Sequence, residues 1–179
     1  MAQIKLNATY GMTGTLPAVS GANLTTLNAS NVSSGTLNAA RYVGGKLGQV
    51  VTATFSSSAT TSSLSYVDTG LTVDITPSAT SSKVFVLATI VGISATAATT
   101  AAVSFQLLRD STEIGEMINV GYGVTAQMDL AATLQAVDSP SSTSALTYKV
   151  QFRNREATPV VINTSTPEDS KITVFEILA

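Results

Sequence analysis

From Gln49 onward the sequence alternates between apolar and polar residues, and this alternation limits the chain to β-structure. Stretch 71–75, LTVDI, has an apolar residue at every second position, and stretch 146–153, LTYKVQFR, repeats the pattern. Because successive side chains of a strand point to opposite faces, each stretch predicts a strand with one buried face. No window shows a sustained helical period. The predicted fold class is therefore all-β.

Two other stretches are apolar at consecutive positions, KVFVLATIVGI from Lys83 to Ile93 and KITVFEIL from Lys171 to Leu178. Such strands are expected to be covered on both faces, and a second subunit is the simplest cover for the outer one. Further strands are predicted at 49–55, 63–68, 101–109, 113–120, 124–136 and 159–163. Nine or ten short strands over about 130 residues suit a jelly-roll-like β-sandwich.

Charged residues are scarce, and this indicates an oligomer. Of the 179 residues 44% are hydrophobic but only 11% are charged, with a formal net charge of -2. Charged residues keep isolated domains soluble, so much of the monomer's surface is expected to be covered by other subunits. The chain also lacks the basic patches of a nucleic-acid-binding protein, so no nucleic-acid partner is expected.

The sequence contains no His and no Cys, which argues against catalysis and metal binding. These absences remove the commonest general base, the commonest metal ligand and the thiol nucleophile. No Gly-x-Ser-x-Gly elbow accompanies the many serines. Glu168 and Asp169 share a loop, but they are expected to form a solvated turn. No catalytic residue, cofactor or metal site is therefore predicted.

The N-terminal region, residues 1–47, has a different pattern from the rest of the chain. Apolar residues recur at every fifth position, at Leu27, Val32, Leu37 and Tyr42, separated by small and polar residues. Three interpretations remain open: a short pentapeptide β-helix, a disordered linker, and an extended arm that winds around other copies. One buried Leu or Val returns about 1.5–3 kcal/mol, and fixing each backbone residue costs about 1–2 kcal/mol.

That energy balance favours the intertwined arm, since contacts within one chain could not order such a sparse pattern. We predict two domains, an extended N-terminal arm at 1–47 and a jelly-roll-like sandwich at 48–179. Six apolar residues are the candidates for packing in a trimer or for attachment to a larger particle: Leu16, Leu24, Leu27, Val32, Leu37 and Tyr42.

The segment Leu16 to Tyr42, LPAVSGANLTTLNASNVSSGTLNAARY, resembles a family of virion proteins. It is similar to the Leu-Asn-Ala-Ser and Ser-Gly-Thr-Leu repeats of tail fibres and other virion proteins of bacteriophages, especially cyanophages and marine phages. The segment from Val50 to Leu87 resembles the start of the β-rich domain that often follows those repeats. The resemblance implies a homotrimeric virion component with an N-terminal attachment segment and a C-terminal β-sandwich.

These observations lead to one main functional hypothesis and two alternatives. The main hypothesis is a non-enzymatic, fibre-like phage surface protein that binds itself and other virion proteins. Its distal loops would contact a receptor on the host surface. The first alternative is a capsid decoration protein whose arms clamp neighbouring capsid subunits. The second is a secreted trimeric module of lectin-like or TNF-like shape. No signal peptide or membrane-spanning run is evident, so synthesis in the host cytoplasm and a place on the virion surface are expected.

Two groups of side chains in the β-rich region are candidates for surface contacts. Lys149, Arg153 and Arg155 lie close in sequence, and they predict either a solvated outer face or an ion pair with an acidic neighbour. Tyr122, between Gly121 and Gly123, is the candidate for a surface-binding aromatic residue, with turn packing as the alternative. Tyr66 and Tyr148 are two further candidates for a binding surface, but Tyr148 is predicted to lie in the core because it is in phase with Val150 and Phe152.

Overall fold

The computed structural model describes residues 46–95, 102–121, 130–156, 158–164 and 169–178. Within them the chain forms ten strands and no helix, so the prediction of an all-β fold is confirmed there. The strands are β1 (Lys46–Phe55), β2 (Ala59–Thr61), β3 (Val67–Ile75), β4 (Lys83–Ala95), β5 (Val103–Arg109), β6 (Thr112–Val120), β7 (Leu130–Asp138), β8 (Leu146–Asn154), β9 (Val160–Ile162) and β10 (Ser170–Leu178).

The strands form two antiparallel sheets. In the first sheet the order is β1-β10-β4-β7, and the far end of β4 also pairs with β9, which pairs with β2. The second sheet has the order β3-β8-β5-β6. One cluster of buried apolar side chains contains residues of both sheets, so the two sheets pack as a β-sandwich.

The core follows directly from the alternation of the sequence. Val84 and Val86 of β4 and Val174 of β10 point inward from the first sheet and are fully buried. Phe105 of β5 and Phe152 of β8 point inward from the second sheet, with stacked rings whose centroids are 6.4 Å apart. These side chains are in contact with one another because every second residue of each strand faces the same side.

One glycine allows β1 and β3 to approach each other closely. Gly70 has φ +92° and lies at a shift of register between Asp68 and Thr72. A Cβ atom at this position would lie 2.6 Å from the ring of Phe55 in β1. No side chain would fit there, and the positive φ would also strain any other residue.

Each predicted strand corresponds to a described one, with differences in bounds and one omission. Ser63–Tyr66 were predicted to begin a strand, but β3 begins at Val67, so that part of the prediction is wrong. The three-residue strand β2 was missed because it is too short to show an alternating pattern. The predicted stretch 124–136 corresponds to β7, which ends at Asp138; residues 122–129 lie outside the described residues.

Candidate interaction surface

The outer face of the first sheet carries an apolar surface that nothing in the described chain covers. Its side chains alternate with the buried residues of β4 and β10 and point away from the core. Leu47, Val50 and Val137 are 65%, 52% and 61% exposed. Four more apolar residues on this side are partly exposed. We call these seven residues the outer face: Leu47, Val50, Phe85, Leu87, Val137, Phe175 and Ile177.

The strand register aligns part of the outer face in a row across all four strands. Val50 of β1 pairs with Phe175 of β10, Phe175 pairs with Phe85 of β4, and Phe85 pairs with Val137 of β7. The two phenylalanine rings have centroids 5.8 Å apart, within the range of favourable aromatic pairs. A continuous apolar band therefore crosses the sheet at right angles to its strands.

Next to the band, the outer side of the first sheet carries threonine side chains. Thr52 and Thr173 face each other with hydroxyl oxygens 3.0 Å apart, and Thr89 and Thr133 do so at 3.3 Å. Threonine fits here because its β-branched side chain suits a strand while its hydroxyl finds a cross-strand partner. Beyond the band, the outer side of the sheet thus presents short hydroxyl side chains that face one another across the strands.

A β-bulge in β1 places both Leu47 and Val50 on the outer face. Leu47 pairs with Ile177 and Val50 with Phe175, so two residues of β1 lie opposite the single Glu176 of β10. Without the extra residue, positions three apart would point to opposite faces. The bulge also directs the Gln49 side chain to Glu176, and Gln49 Nε2 donates to the carboxylate over 2.9 Å.

The strands of the first sheet, all within the described part of the chain, contain only two carboxylates, and both point inward. Asp138 and Glu176 pair with Val84 from either side and are 9% and 1% exposed. The charged side chains on the outer side are Lys83 and Lys171, both exposed. In these strands the outer side of the sheet therefore combines the apolar outer face with two lysines and carries no carboxylate.

The inward carboxylates are held by donors from the same chain. Burial raises the pKa of Glu176, but the Ser78 hydroxyl and Gln49 outweigh it and lower the pKa to about 2. Ser78 donates through both its amide and its hydroxyl, each over 2.6 Å. Asp138 accepts two hydrogen bonds of 2.8 Å from Arg109 and one of 2.7 Å from the Tyr148 hydroxyl.

The outer side of the second sheet has the opposite character. Lys149 Nζ lies 3.0 Å from an Asp68 carboxylate oxygen, and Gln151 Nε2 donates to Asp68 over 2.7 Å. The hydrogen bond from Gln151 lowers the pKa of Asp68; desolvation opposes the shift and Lys149 adds to it. Thr147 donates its hydroxyl proton to Asp74 over 2.6 Å. The polar groups of this surface are therefore paired with one another.

A second polar group lies beside this sheet and involves an aromatic residue. The Tyr66 hydroxyl donates to the Glu116 carboxylate, and the Arg153 guanidinium lies 4.6 Å from the centre of the Tyr66 ring. Arg153 also lies 3.7 Å from a Glu116 oxygen. Desolvation, followed by the hydrogen bond to Glu116, raises the pKa of Tyr66 to about 12.

A cleft of about 350 Å³ opens at one end of the second sheet, lined by Leu64, Ser104, Asn119, Arg153, Asn154 and Arg155. Three of its polar side chains have partners within the protein. Asn154 Nδ2 donates to the Thr158 hydroxyl over 2.8 Å, and Ser104 Oγ accepts from the Asn119 amide over 3.4 Å. Arg153 is engaged by Glu116.

The residues proposed from sequence fall into two sets. Tyr122 and the six apolar arm residues, Leu16, Leu24, Leu27, Val32, Leu37 and Tyr42, lie outside the described residues. Among the described ones, Tyr148 is fully buried, which confirms its predicted place in the core. Lys149 and Arg153 each pair with a carboxylate of the same chain, Asp68 and Glu116. Sequence reasoning did not single out Asp138 and Glu176, although Glu176 is in phase with the buried Val174.

Among the described residues, no three acidic side chains come together in a way that could hold a metal ion. None of the described segments forms a helix with the length and hydropathy that a bilayer crossing requires. Glu168 lies outside the described residues, while Asp169 is exposed.

Comparison with known proteins adds little to this geometry. No protein-family model matches the chain, and no curated protein matches it. Among solved structures, the chain is similar to the VP2 subviral particle of infectious bursal disease virus, with 13% sequence identity and a TM-score of 0.28. The match covers 73% of this chain and 37% of VP2, so this chain corresponds to little more than a third of that protein. The TM-score is too low for this similarity to carry an argument about function.

Proposed function

We propose that this chain is a non-enzymatic structural protein of a bacteriophage virion. In this proposal it forms a homotrimer on the particle surface, as a fibre-like component, and residues 1–47 attach it to other virion proteins. The sequence support is the resemblance of Leu16 to Tyr42 to phage repeats. The alternative role within the same class is a capsid decoration protein.

The observation that carries an assembling role is the outer face. Seven apolar side chains form one surface across four strands, and three of them are more than half exposed. Contiguous apolar surface of this kind commonly marks a site of protein contact in soluble proteins. By contrast, the polar groups of the opposite sheet pair with one another, as expected for a surface that faces water.

The strand order supports a jelly-roll as the finer description of the sandwich. A jelly-roll has eight strands in two sheets and is common in viral capsid proteins. Here the sheets β1-β10-β4-β7 and β3-β8-β5-β6 share the eight longer strands, and the chain passes repeatedly from one sheet to the other. The short strands β2 and β9 then extend the first sheet beyond the jelly-roll.

The proposal is tested on the full-length protein and on phage particles. Sedimentation equilibrium of the purified chain is expected to give three times the chain mass of 18.3 kDa. Quantitative mass spectrometry of purified particles is expected to find the chain, with tens of copies or fewer for a fibre and hundreds for a decoration protein. A chain absent from particles, or one that is exported by uninfected cells, would overturn the virion role and favour a secreted lectin-like module.

A further inference from the structure

We propose that the outer face is the surface through which one copy of this chain binds the next, in a heterologous contact that closes into a ring. This inference deepens the proposed function, because it rests on the proposed trimer and assigns the surface that forms it. The occupant is a second copy of the chain, and the surface that it presents is different from the outer face itself.

The size of the outer side fits a contact between subunits. Four strands about 4.8 Å apart span about 19 Å, and a strand of nine residues at about 3.4 Å each spans about 30 Å. The sheet therefore offers about 600 Å² in plan, and side-chain relief raises its accessible area. A stable interface buries about 800 Å² on each partner. One copy of the sandwich could therefore cover this face with a contact of ordinary size.

The composition of the face also suits the centre of a subunit contact. Such centres are depleted of charge and enriched in aromatic residues. The row from Val50 through Phe175 and Phe85 to Val137 contains no charged residue and includes an aromatic pair. Lys83 and Lys171 lie outside this row, at opposite ends along the strands, because Lys83 pairs with Ile177 and Lys171 with Thr89.

The signs of the charges decide against two outer faces packing on each other. A two-fold contact would bring the Lys83 and Lys171 side chains of both copies together, with no carboxylate among the described residues of that face to balance them. Like charges brought together across an interface are unfavourable. A heterologous contact instead places the lysines of one copy against a different surface of the next, and repeated contacts of this type form rings.

The first experiment places charge on the outer face of the full-length chain. Val50→Lys with Val137→Lys replaces two side chains that are 52% and 61% exposed, so the fold of each subunit is expected to remain intact. Sedimentation is expected to show dissociation constants at least about tenfold higher than for the unmodified chain. Two controls accompany it: Val50→Thr with Val137→Thr keeps the shape without charge, and Thr72→Lys adds charge to the other sheet. Both controls are expected to remain assembled, and circular dichroism checks the fold of every variant.

The second experiment uses the absence of Cys, since one introduced thiol is then the only one in the chain. The thiol of Val137→Cys is expected to react slowly with a maleimide while the protein is assembled and at least about tenfold faster after dilution dissociates it. The thiol of Thr72→Cys, on the exposed outer side of the second sheet, is expected to react fast in both states.

The outcomes separate this inference from the proposed function. A trimer whose Val137→Cys thiol reacts fast would overturn the assigned surface but leave the trimer standing. A dimer would overturn the heterologous contact. A monomer with a slowly reacting thiol would show that another part of the same chain covers the face. A monomer whose thiol is open in solution but protected in particles would identify a different virion protein as the occupant, which overturns this inference and leaves the virion role intact.

Discussion

The two sheets of this sandwich share one core but differ in where they place their carboxylates. In the strands of the first sheet, as far as the structure describes the chain, both carboxylates point inward, and the outer side is apolar with two lysines. In the second sheet all four strand carboxylates are exposed, and several pair with neighbouring polar groups. A sheet that faces water benefits from exposed charge, whereas a sheet that faces protein does not. The contrast therefore supports the proposal that the first sheet faces another protein and the second faces water.

The largest expected effect comes from removing an inward carboxylate. Asp138→Ala leaves the Arg109 guanidinium and the Tyr148 hydroxyl without their shared acceptor. Removing one partner of a buried ion pair destabilises a protein because the other charge stays buried without compensation. We therefore expect the free energy of unfolding to fall by about 3 kcal/mol. Urea unfolding at one fixed chain concentration measures it, since association also contributes to apparent stability.

The matched control for this change is Asp74→Ala in the second sheet. Asp74 is exposed and accepts one hydrogen bond, from Thr147, so a loss below about 1 kcal/mol is expected. Equal losses for the two variants would break the contrast, because inward and outward carboxylates would then contribute alike.

The next effect concerns Glu176 and depends on pH. Glu176→Gln removes the charge that Ser78 and Gln49 stabilise, so we expect a loss of about 2 kcal/mol at neutral pH. The pKa of this carboxyl is lowered from 4.5 to about 2. Its contribution is therefore complete above pH 4.5 and disappears as the pH falls towards 2.

Urea unfolding between neutral pH and pH 2 measures this prediction, and the difference between Glu176→Gln and the unmodified chain is expected to narrow over the acidic part of that range. Glu113→Gln, at an exposed position of β6, is the control and should change the stability little. If the stability difference between the two proteins stays constant over the whole pH range, the loss comes from disturbed packing around the amide and not from the missing charge.

The smallest expected effect lies on the solvent side. Asp68→Asn removes the ion pair between Asp68 and Lys149, in which the Asp68 side chain is 57% exposed. Exposed pairs contribute at most about 1 kcal/mol, so the loss should stay below that value and vanish in about 1 M salt. Measured at low and high salt, a loss that persists or exceeds that of Glu176→Gln would mean that this surface is not simply solvated.

The alternating stretches were sufficient to predict strands with one buried face, because Leu71, Val73 and Ile75 follow a period that only strands match. The consecutive apolar residues of β4 and β10 also predicted a covered outer side, since Phe85 and Phe175 lie between the buried valines. The row to which they belong was not predictable. It depends on which residues pair across strands that are distant in sequence, and alternation within one strand carries no information on that register.

The inward carboxylates were missed for a different reason. Glu176 lies on the same side of β10 as the buried Ile172 and Val174, but a charged side chain is expected to point outward unless its hydrogen-bond donors are known. Those donors, Ser78 and Gln49, come from a loop and from a bulge that no local pattern marks. Burial of charge is decided by partners, and partners come from tertiary structure.

Gly48 and Gln49, the two residues of β1 opposite Glu176, decide which face of the sheet the start of β1 presents. If one of them, Gly48, were deleted, the pairing of β1 with β10 would become regular, and Lys46 and Leu47 would each turn to the opposite face of the sheet. Leu47 would then point towards the interior, and Lys46 would take its place on the outside. A single residue thus determines whether this edge of the sheet presents an apolar or a positively charged side chain outward.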